Sequence, residues 1–366
     1  MTKKQKSVLF LTIPGLGDFL MFAESLYYYR KSLENWRFVS LSMFPAVDEL
    51  IGALNLVDKR IVYDFFNPSI LSFLNLIADL RKEQFDAVIL PFPSNSAKYD
   101  LLSFLTGAKA RMGYDYQKKI FPDLSFLNTV RVIENPTISN RQHNLDTAKK
   151  FCHLVGGNSV NDQKTLDTLR DILVNKCKKN SATSQMNSLT IGFHTFSSTF
   201  KNMHLKCWPA DRFAQLAVKI SKSFPHARMF LFCGPNDSAN IKTVQNLSGG
   251  LFQVVTHQSF IDTLGEISRC DLFISNDSGL MHAAAFLNIP TVALFGPTNH
   301  KRLFTWPGPH MVVDEPVECG PCFQYSPRPL TCHARKNYGC IRDLSVDKVF
   351  KAVKISLERL CPNSNH

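Results

Sequence analysis

Asp18 closes the run Gly15-Leu16-Gly17-Asp18, where an apolar segment gives way to a helical pattern. Glycines there permit a tight turn and let a bound donor approach the backbone at Gly17. With no third glycine, the run is only half of a dinucleotide fingerprint. The carboxylate has two readings. It is an N-cap, or it is a general base that takes the proton of an attacking hydroxyl. A second group runs from His194-Thr195-Phe196-Ser197-Ser198 to Lys206-Cys207-Trp208-Pro209. The hydroxyls of Thr195 and Ser197 and the ammonium of Lys206 suit a departing diphosphate, whose charge grows as its bond breaks. The plain alternative is a Ser/Thr-rich loop with Pro209 in the first turn of a helix. Lys201 competes for the cationic role, and the fixed distance to Trp-Pro favours Lys206.

Gly234-Pro235-Asn236-Asp237 follows an apolar run. Asp237 there either grips ribose or base hydroxyls or is a turn residue. Asn276-Asp277-Ser278-Gly279 sits between an apolar run of strand length and a short helix of small residues. A helix opening on Asp-Ser-Gly offers unpaired N–H groups and a positive dipole end, where a diphosphate can sit. His282 falls in its first turn. Read as structure only, the same stretch is a capped helix in an ordinary βαβ unit.

Cysteine gives two further readings. Of ten cysteines, Cys319, Cys322, Cys332 and Cys340 crowd into one stretch. Four thiols in a loop-rich segment suit a tetrahedral structural zinc or iron with every position filled by protein. The alternative is four reduced, partly buried thiols. Basic residues of the first half include Lys109, Lys118, Lys119, Arg131, Arg111, Arg141 and His143. The last three are candidates for holding an anionic acceptor; otherwise the group is solvated surface.

Loop residues need strand ends to hold them. Apolar runs near residues 8–13, 38–41, 60–63 and 86–90 alternate with helical patterns at 18–31, 47–54, 69–82, 99–105 and 143–154. After residue 188 the rhythm restarts, with strands at 189–193, 229–233, 252–255, 272–275 and 291–295. Helices are expected at 210–222, 261–269, 280–287 and 345–360. This alternation predicts parallel sheets in α/β units. Ligands then bind at the carboxyl ends of the strands, where the motifs above lie. At 366 residues the chain is long enough for two domains. The polar stretch 176–188 reads as the linker. That gives a first domain at 1–175 and a second at 189–344, with a Cys-rich loop at 319–340. A C-terminal helix at 345–366 is free to pack back on the first domain.

Hydrophobic content of 45% with 20% charged residues describes a globular chain, and no apolar run is long enough to span a bilayer. Lys3, Lys4 and Lys6 before an apolar run mimic a signal peptide, but Pro14 and Asp18 break it and no small-residue cleavage site follows. A cytoplasmic protein is expected, held loosely on an anionic membrane face. The net charge of +12 favours an anionic partner.

G-L-G-D near the start, K-x-W-P after the mid-chain strand, and D-S-G-x-x-H followed by F-G-P-T resemble, in that order, the heptosyltransferases, glycosyltransferase family nine. The four cysteines followed by I-R-D-L are similar to the tail of many members. The resemblance implies a GT-B architecture of two Rossmann-like doubly wound domains facing a central cleft, acceptor mostly in the first and nucleotide-sugar in the second. It implies inverting transfer with no cofactor or catalytic metal. Asp18 would then be the base and Lys206 the diphosphate contact. Asp277, Ser278, Gly279 and His282 would hold the donor's sugar and phosphates, with Asp277 on sugar hydroxyls or helix amides because a carboxylate repels phosphate. The usual donor is ADP-heptose and the usual acceptor the anionic inner core of lipopolysaccharide at the inner membrane's cytoplasmic face; nucleic acid is not an expected partner. Other readings are the same chemistry with another nucleotide-hexose or a protein acceptor, a nucleotide-sugar epimerase, and a non-catalytic binding module.

Overall fold

The structure, a computed structural model, describes residues 4–118, 122–179, 188–234, 237–323, 328–334 and 336–360. Two compact units divide between Ile172 and Leu173.

The first unit opens with β1 (Ser7–Phe10), α1 (Leu16–Ser32), β2 (Arg37–Ser42), α2 (Pro45–Leu54) and β3 (Lys59–Val62). It continues with α3 (Ile70–Lys82), β4 (Ala87–Ile89), α4 (Ala97–Leu105), β5 (Ala110–Asp115), β6 (Val130–Ile133) and α5 (Asn140–Leu154), and α6 (Thr165–Lys179) carries the division between the units. Its six strands are parallel, in the order β3-β2-β1-β4-β5-β6. The order reverses between β1 and β4, so the crevice at their carboxyl ends is the binding position of such a sheet. One face packs Leu9, Leu11, Val39, Val88 and Leu90 on Leu76, Ile77 and Leu80 of α3. Phe10 turns to the other face, within 5.9 Å of the rings of Phe22, Tyr29 and Phe38. α1 is buried nearly all round because α5 covers it on the far side.

The second unit runs β7 (Thr190–His194), α7 (Ala210–Ser223), β8 (Arg228–Phe232), α8 (Ser238–Leu247), β9 (Phe252–Val255) and α9 (Phe260–Ile267). Then come β10 (Leu272–Asn276), α10 (Gly279–Phe286), β11 (Thr291–Phe295), α11 (His300–Leu303), β12 (His310–Asp314), α12 (Gly339–Arg342) and α13 (Val346–Leu360). The sheet order is β12-β11-β10-β7-β8-β9, again all parallel. Counted within its own unit, this is the strand order of the first sheet, with the reversal between β7 and β10.

Both sheets carry the doubly wound order expected of Rossmann-like domains. Several boundaries differ from expectation. β5 and β6 escape the sequence pattern, because Ala110–Asp115 contains Gly113 and two charged residues and shows no alternation. Gly113 is needed there: a Cβ would lie 2.3 Å from the Asn128 amide. The 176–188 linker begins inside α6, which runs to Lys179, and residues 180–187 lie outside the described ones. α13 packs on its own unit: Val349, Ala352, Val353 and Leu357 join the core of Ile191, Phe193, Phe213 and Leu294. Its apolar face is thereby occupied within that unit.

Candidate active site

At the switch point of the second sheet, three strand ends place the chemistry. β7 ends on His194, β10 ends on Asn276 and leads into Asp277-Ser278, and β11 leads through Gly296-Pro297 to Thr298. Ser278 is the N-cap of α10, in extended backbone, and its Oγ accepts the Met281 N–H at 3.3 Å. Ala283, Ala284 and Ala285 let the helix lie close on the sheet, and Asn288, with φ of 62°, ends it before Pro290. Gly296 is required by a close approach: a Cβ there would meet Ile341 of α12 at 2.7 Å.

Asp277 is the hub. Its Oδ2 accepts from Lys206 Nζ at 2.7 Å and from the Thr298 hydroxyl at 2.8 Å. Its Oδ1 faces His282 Nε2 at 4.0 Å. Burial raises the Asp277 pKa, but the ammonium of Lys206 and the partners around it win, and the net shift is downward. Burial also pushes the His282 pKa down to about 4; Asp277 pulls it up and Lys206 pushes it further down. His282 is therefore neutral near pH 7. Its Nδ1 accepts from the indole N–H of Trp306 at 3.1 Å.

Lys206 ends a 3-10 segment, Phe200–Lys206, and is held in place by Trp208. That tryptophan is buried, donates its backbone N–H to Asn276 Oδ1 at 2.8 Å and its indole N–H to Leu344 O at 2.8 Å. The Trp of Lys-x-Trp-Pro is thus an anchor, and the lysine two residues earlier is aimed by it. Lys201 instead lies over the Phe200 ring, with Nζ 5.1 Å from its centroid.

His194 joins two of the expected groups. Its Nδ1 lies 2.9 Å from Ser278 Oγ and its Nε2 3.4 Å from Asp237 Oδ2. Asp237 also accepts the Gly234 N–H at 2.6 Å, so it closes the turn before α8, as the turn reading had it. Pro235 and Asn236 of that turn lie outside the described residues. Ser197 reaches Asp277 O at 3.4 Å, whereas Thr195 bonds Asn240 Oδ1 at 2.6 Å. Lys206, Ser197, Asp237, Asp277, Ser278 and His282 are therefore joined through His194 and Thr298 in one network at the strand ends, with Gly279 opening α10 beside them. Sequence reasoning gave His194 and Thr298 no role, although both lie inside its motifs, and missed Trp306 altogether. Position at a strand's last residue was a usable signal for His194; nothing local pointed to Trp306.

In the first unit Asp18 occupies the third position of α1, behind Gly15 at the cap and Gly17 at the second position. It is not the N-cap. It lines a narrow crevice with Thr12, Pro14, Phe22 and Pro91, at the ends of β1 and β4 where that sheet reverses. Tyr99 is a neighbour: burial first, and then the charge of Asp18, push its hydroxyl pKa up to about 12.

The three acceptor candidates serve the unit's own framework. Arg111 donates to Leu127 O at 2.9 Å and Ala108 O at 2.6 Å, and covers the Phe104 ring. Arg141 is paired with buried Glu24, whose pKa burial raises against the pull of that arginine. His143 is buried, stacked on Phe92 with centroids 4.4 Å apart, and its Nε2 accepts the Asn135 N–H. Each polar head thus has a partner inside its own unit.

The four clustered cysteines share one neighbourhood. Burial, and then the charges of Cys322, Cys319 and Cys332, push the Cys340 thiol up to about 11. Cys332 Sγ accepts the Tyr338 N–H at 3.5 Å. Among the described residues no group of three His, Cys, Asp or Glu is placed to hold a metal ion. Among the same residues no helix is long and apolar enough to cross a membrane.

Known proteins resemble this chain along most of its length. A profile described as glycosyltransferase family 9 (heptosyltransferase) matches residues 73–332, well over half the chain. Lipooligosaccharide heptosyltransferase 2 of Campylobacter jejuni is 33% identical over 161 residues, a match spanning 41% of this chain and less than half, 46%, of that one. The glycosyl transferase family 9 structure from Veillonella parvula superposes with a TM-score of 0.71 at 19% identity, covering 98% of this chain and 99% of the other. The E. coli ADP-heptose lipopolysaccharide heptosyltransferase II does so with a TM-score of 0.66 at 17% identity, covering 97% and 99%. These superpositions match the GT-B fold.

Proposed function

The chain belongs to glycosyltransferase family 9, the heptosyltransferases, and on that premise we propose that it transfers a heptose from ADP-heptose to an anionic lipopolysaccharide-core acceptor with inversion. The observation that carries the reading is the strand-end crevice of the second unit. A lysine, hydroxyls and a neutral histidine converge there on the N-terminus of α10. Hydroxyl and N–H donors at a helix N-terminus suit phosphate oxygens and sugar hydroxyls.

The steps balance without an outside reactant. An acceptor hydroxyl oxygen attacks the anomeric carbon, and the bond from that carbon to the diphosphate breaks. The electron pair leaves with ADP, and the hydroxyl proton passes to the Asp18 carboxylate. Negative charge grows on the leaving diphosphate. Lys206 answers it, having three N–H donors of which one is engaged by Asp277. Asp277 holds that ammonium in place and Ser278 caps the helix. The enzyme so described works at the cytoplasmic face of the inner membrane, where the net charge of +12 favours anionic glycolipid.

The test is release of ADP from ADP-heptose with a heptose-deficient core acceptor, followed for wild type and Asp18→Asn. Wild type should transfer, and Asp18→Asn should lose at least about a hundredfold in turnover, the typical contribution of a general base, while binding ADP-heptose as before. Conversion of donor without acceptor would instead make the protein an epimerase.

A further inference from the structure

We propose that Trp306 is a positioning residue for His282: its indole N–H fixes the imidazole in the Nε2–H form, so that the ring offers a donor at the mouth of α10. The inference rests on reading this crevice as the nucleotide-sugar site.

An indole N–H donates and cannot accept. Trp306 Nε1 lies 3.1 Å from His282 Nδ1, so that nitrogen must carry a lone pair. The ring is neutral near pH 7, held so by burial and by the charge of Lys206. Its one ring proton is therefore on Nε2. Across the ring Nε2 faces Asp277 Oδ1 at 4.0 Å, too long for a direct hydrogen bond but close enough for the carboxylate to favour a proton on that side.

The support for Trp306 is itself rigid. The residue is 6% exposed and His282 4% exposed. The Trp306 ring meets Phe286 of α10 edge-on, with centroids 5.6 Å apart. Phe304 flanks the imidazole at 6.2 Å. The loop between α11 and β12 thus folds against α10 and delivers an N–H to one ring nitrogen.

The consequence is a directional donor in place of a charge. A phosphate or sugar oxygen at the first turn of α10 accepts from Nε2–H. The other tautomer would present a lone pair to that oxygen and repel it. Trp306 acts only through the histidine.

The experiment reads the tautomer first and activity second. In full-length 15N-labelled protein the His282 ring, assigned with His282→Gln, should show an unprotonated Nδ1 and a protonated Nε2. A scalar coupling across the hydrogen bond should link Nδ1 to Trp306 Nε1. In Trp306→Phe the coupling should vanish and a second tautomer appear. The KM for ADP-heptose should rise about tenfold with a smaller change in kcat, the worth of one buried hydrogen bond. A protonated Nδ1 in wild type overturns the proposal. So does Trp306→Phe with a single Nε2–H ring and unchanged KM. Should that variant fail to fold, the wild-type coupling alone decides. A coupling present in a protein that binds no ADP-heptose would refute the nucleotide-sugar reading and, with it, the role given to the donor, while leaving the pairing of the two rings intact.

Discussion

Removing the Lys206 charge is the sharpest test of the crevice, because the structure fixes both the size and the pH dependence of the effect. The Lys206 side chain is 12% exposed and that of Asp277 5% exposed. Deleting one member of a buried pair leaves an uncompensated buried charge and costs about 3–5 kcal/mol. Lys206→Met should fall at the lower end, about 3 kcal/mol, because the Thr298 hydroxyl still serves Asp277 Oδ2. Lys206→Met with Asp277→Asn removes both charges and should recover most of that loss. The chain has two units, so a single global transition is not assumed. Trp208 and Trp306 both lie in the second unit and Trp36 in the first. In a Trp36→Phe background, urea unfolding followed by tryptophan fluorescence therefore reports the second unit alone.

The sign with pH comes from linkage. In wild type the depressed Asp277 pKa contributes stability that is present above the unfolded value of about 3.9 and lost as pH falls through the folded one. In Lys206→Met the largest lowering influence is gone and burial remains, so the Asp277–His282 pair takes up a proton at higher pH than in wild type. The unfolded chains share these titrations, so the difference reads the folded states. The penalty should be largest near pH 7.5 and shrink by at most about 1.4 kcal/mol per pH unit on the way to pH 5. A penalty below about 1 kcal/mol, the scale of an exposed pair, and flat with pH would refute a buried Lys206–Asp277 pair.

Two further perturbations probe the frame around it. Ser278→Ala removes the N-cap of α10 and the hydroxyl facing His194; unit-two stability in the same urea assay should fall by about 1 kcal/mol. For the cysteines, Cys319 and Cys322 are exposed while Cys340 is buried with its thiol pushed up to about 11. A thiol reagent at neutral pH, with sites identified by mass spectrometry, should label the first two ahead of Cys340; preferential labelling of Cys340 would contradict the described burial.

The legible part of this protein was the part written locally. Alternation of apolar runs with helical patterns gave four of the six strands of the first sheet and five of the six of the second, and the cap chemistry of Asp-Ser-Gly placed α10 to within a residue. Motif residues fell at strand ends because a doubly wound sheet leaves few other places for loop chemistry. What stayed hidden was pairing at long range. Asp277 holds Lys206, 71 residues earlier, and Thr298, 21 later. No spacing rule connects those positions; only the adjacency of β7, β10 and β11 does. The first unit was less readable for a related reason. Arg111, Arg141 and His143 look like a basic patch as letters, but a guanidinium or imidazole finds carbonyls, carboxylates and N–H groups inside a fold as readily as outside.

Pairing also changes what the crevice asks of a ligand. Lys206 and Asp277 sum to no net charge, and His282 is neutral near pH 7. A diphosphate placed there would not be drawn by a pool of positive charge. It would be met by the remaining N–H donors of Lys206, by the Nε2–H of His282 and by the backbone at the start of α10, each already oriented by a partner on its far side. Asp277 aims the lysine, Trp306 aims the histidine and Ser278 caps the helix. Donors held this way need little rearrangement as charge develops on the leaving group, and that is where preorganised hydrogen bonds count most. The carboxylate, which looked out of place beside phosphates in the sequence, is what keeps the ammonium from wandering.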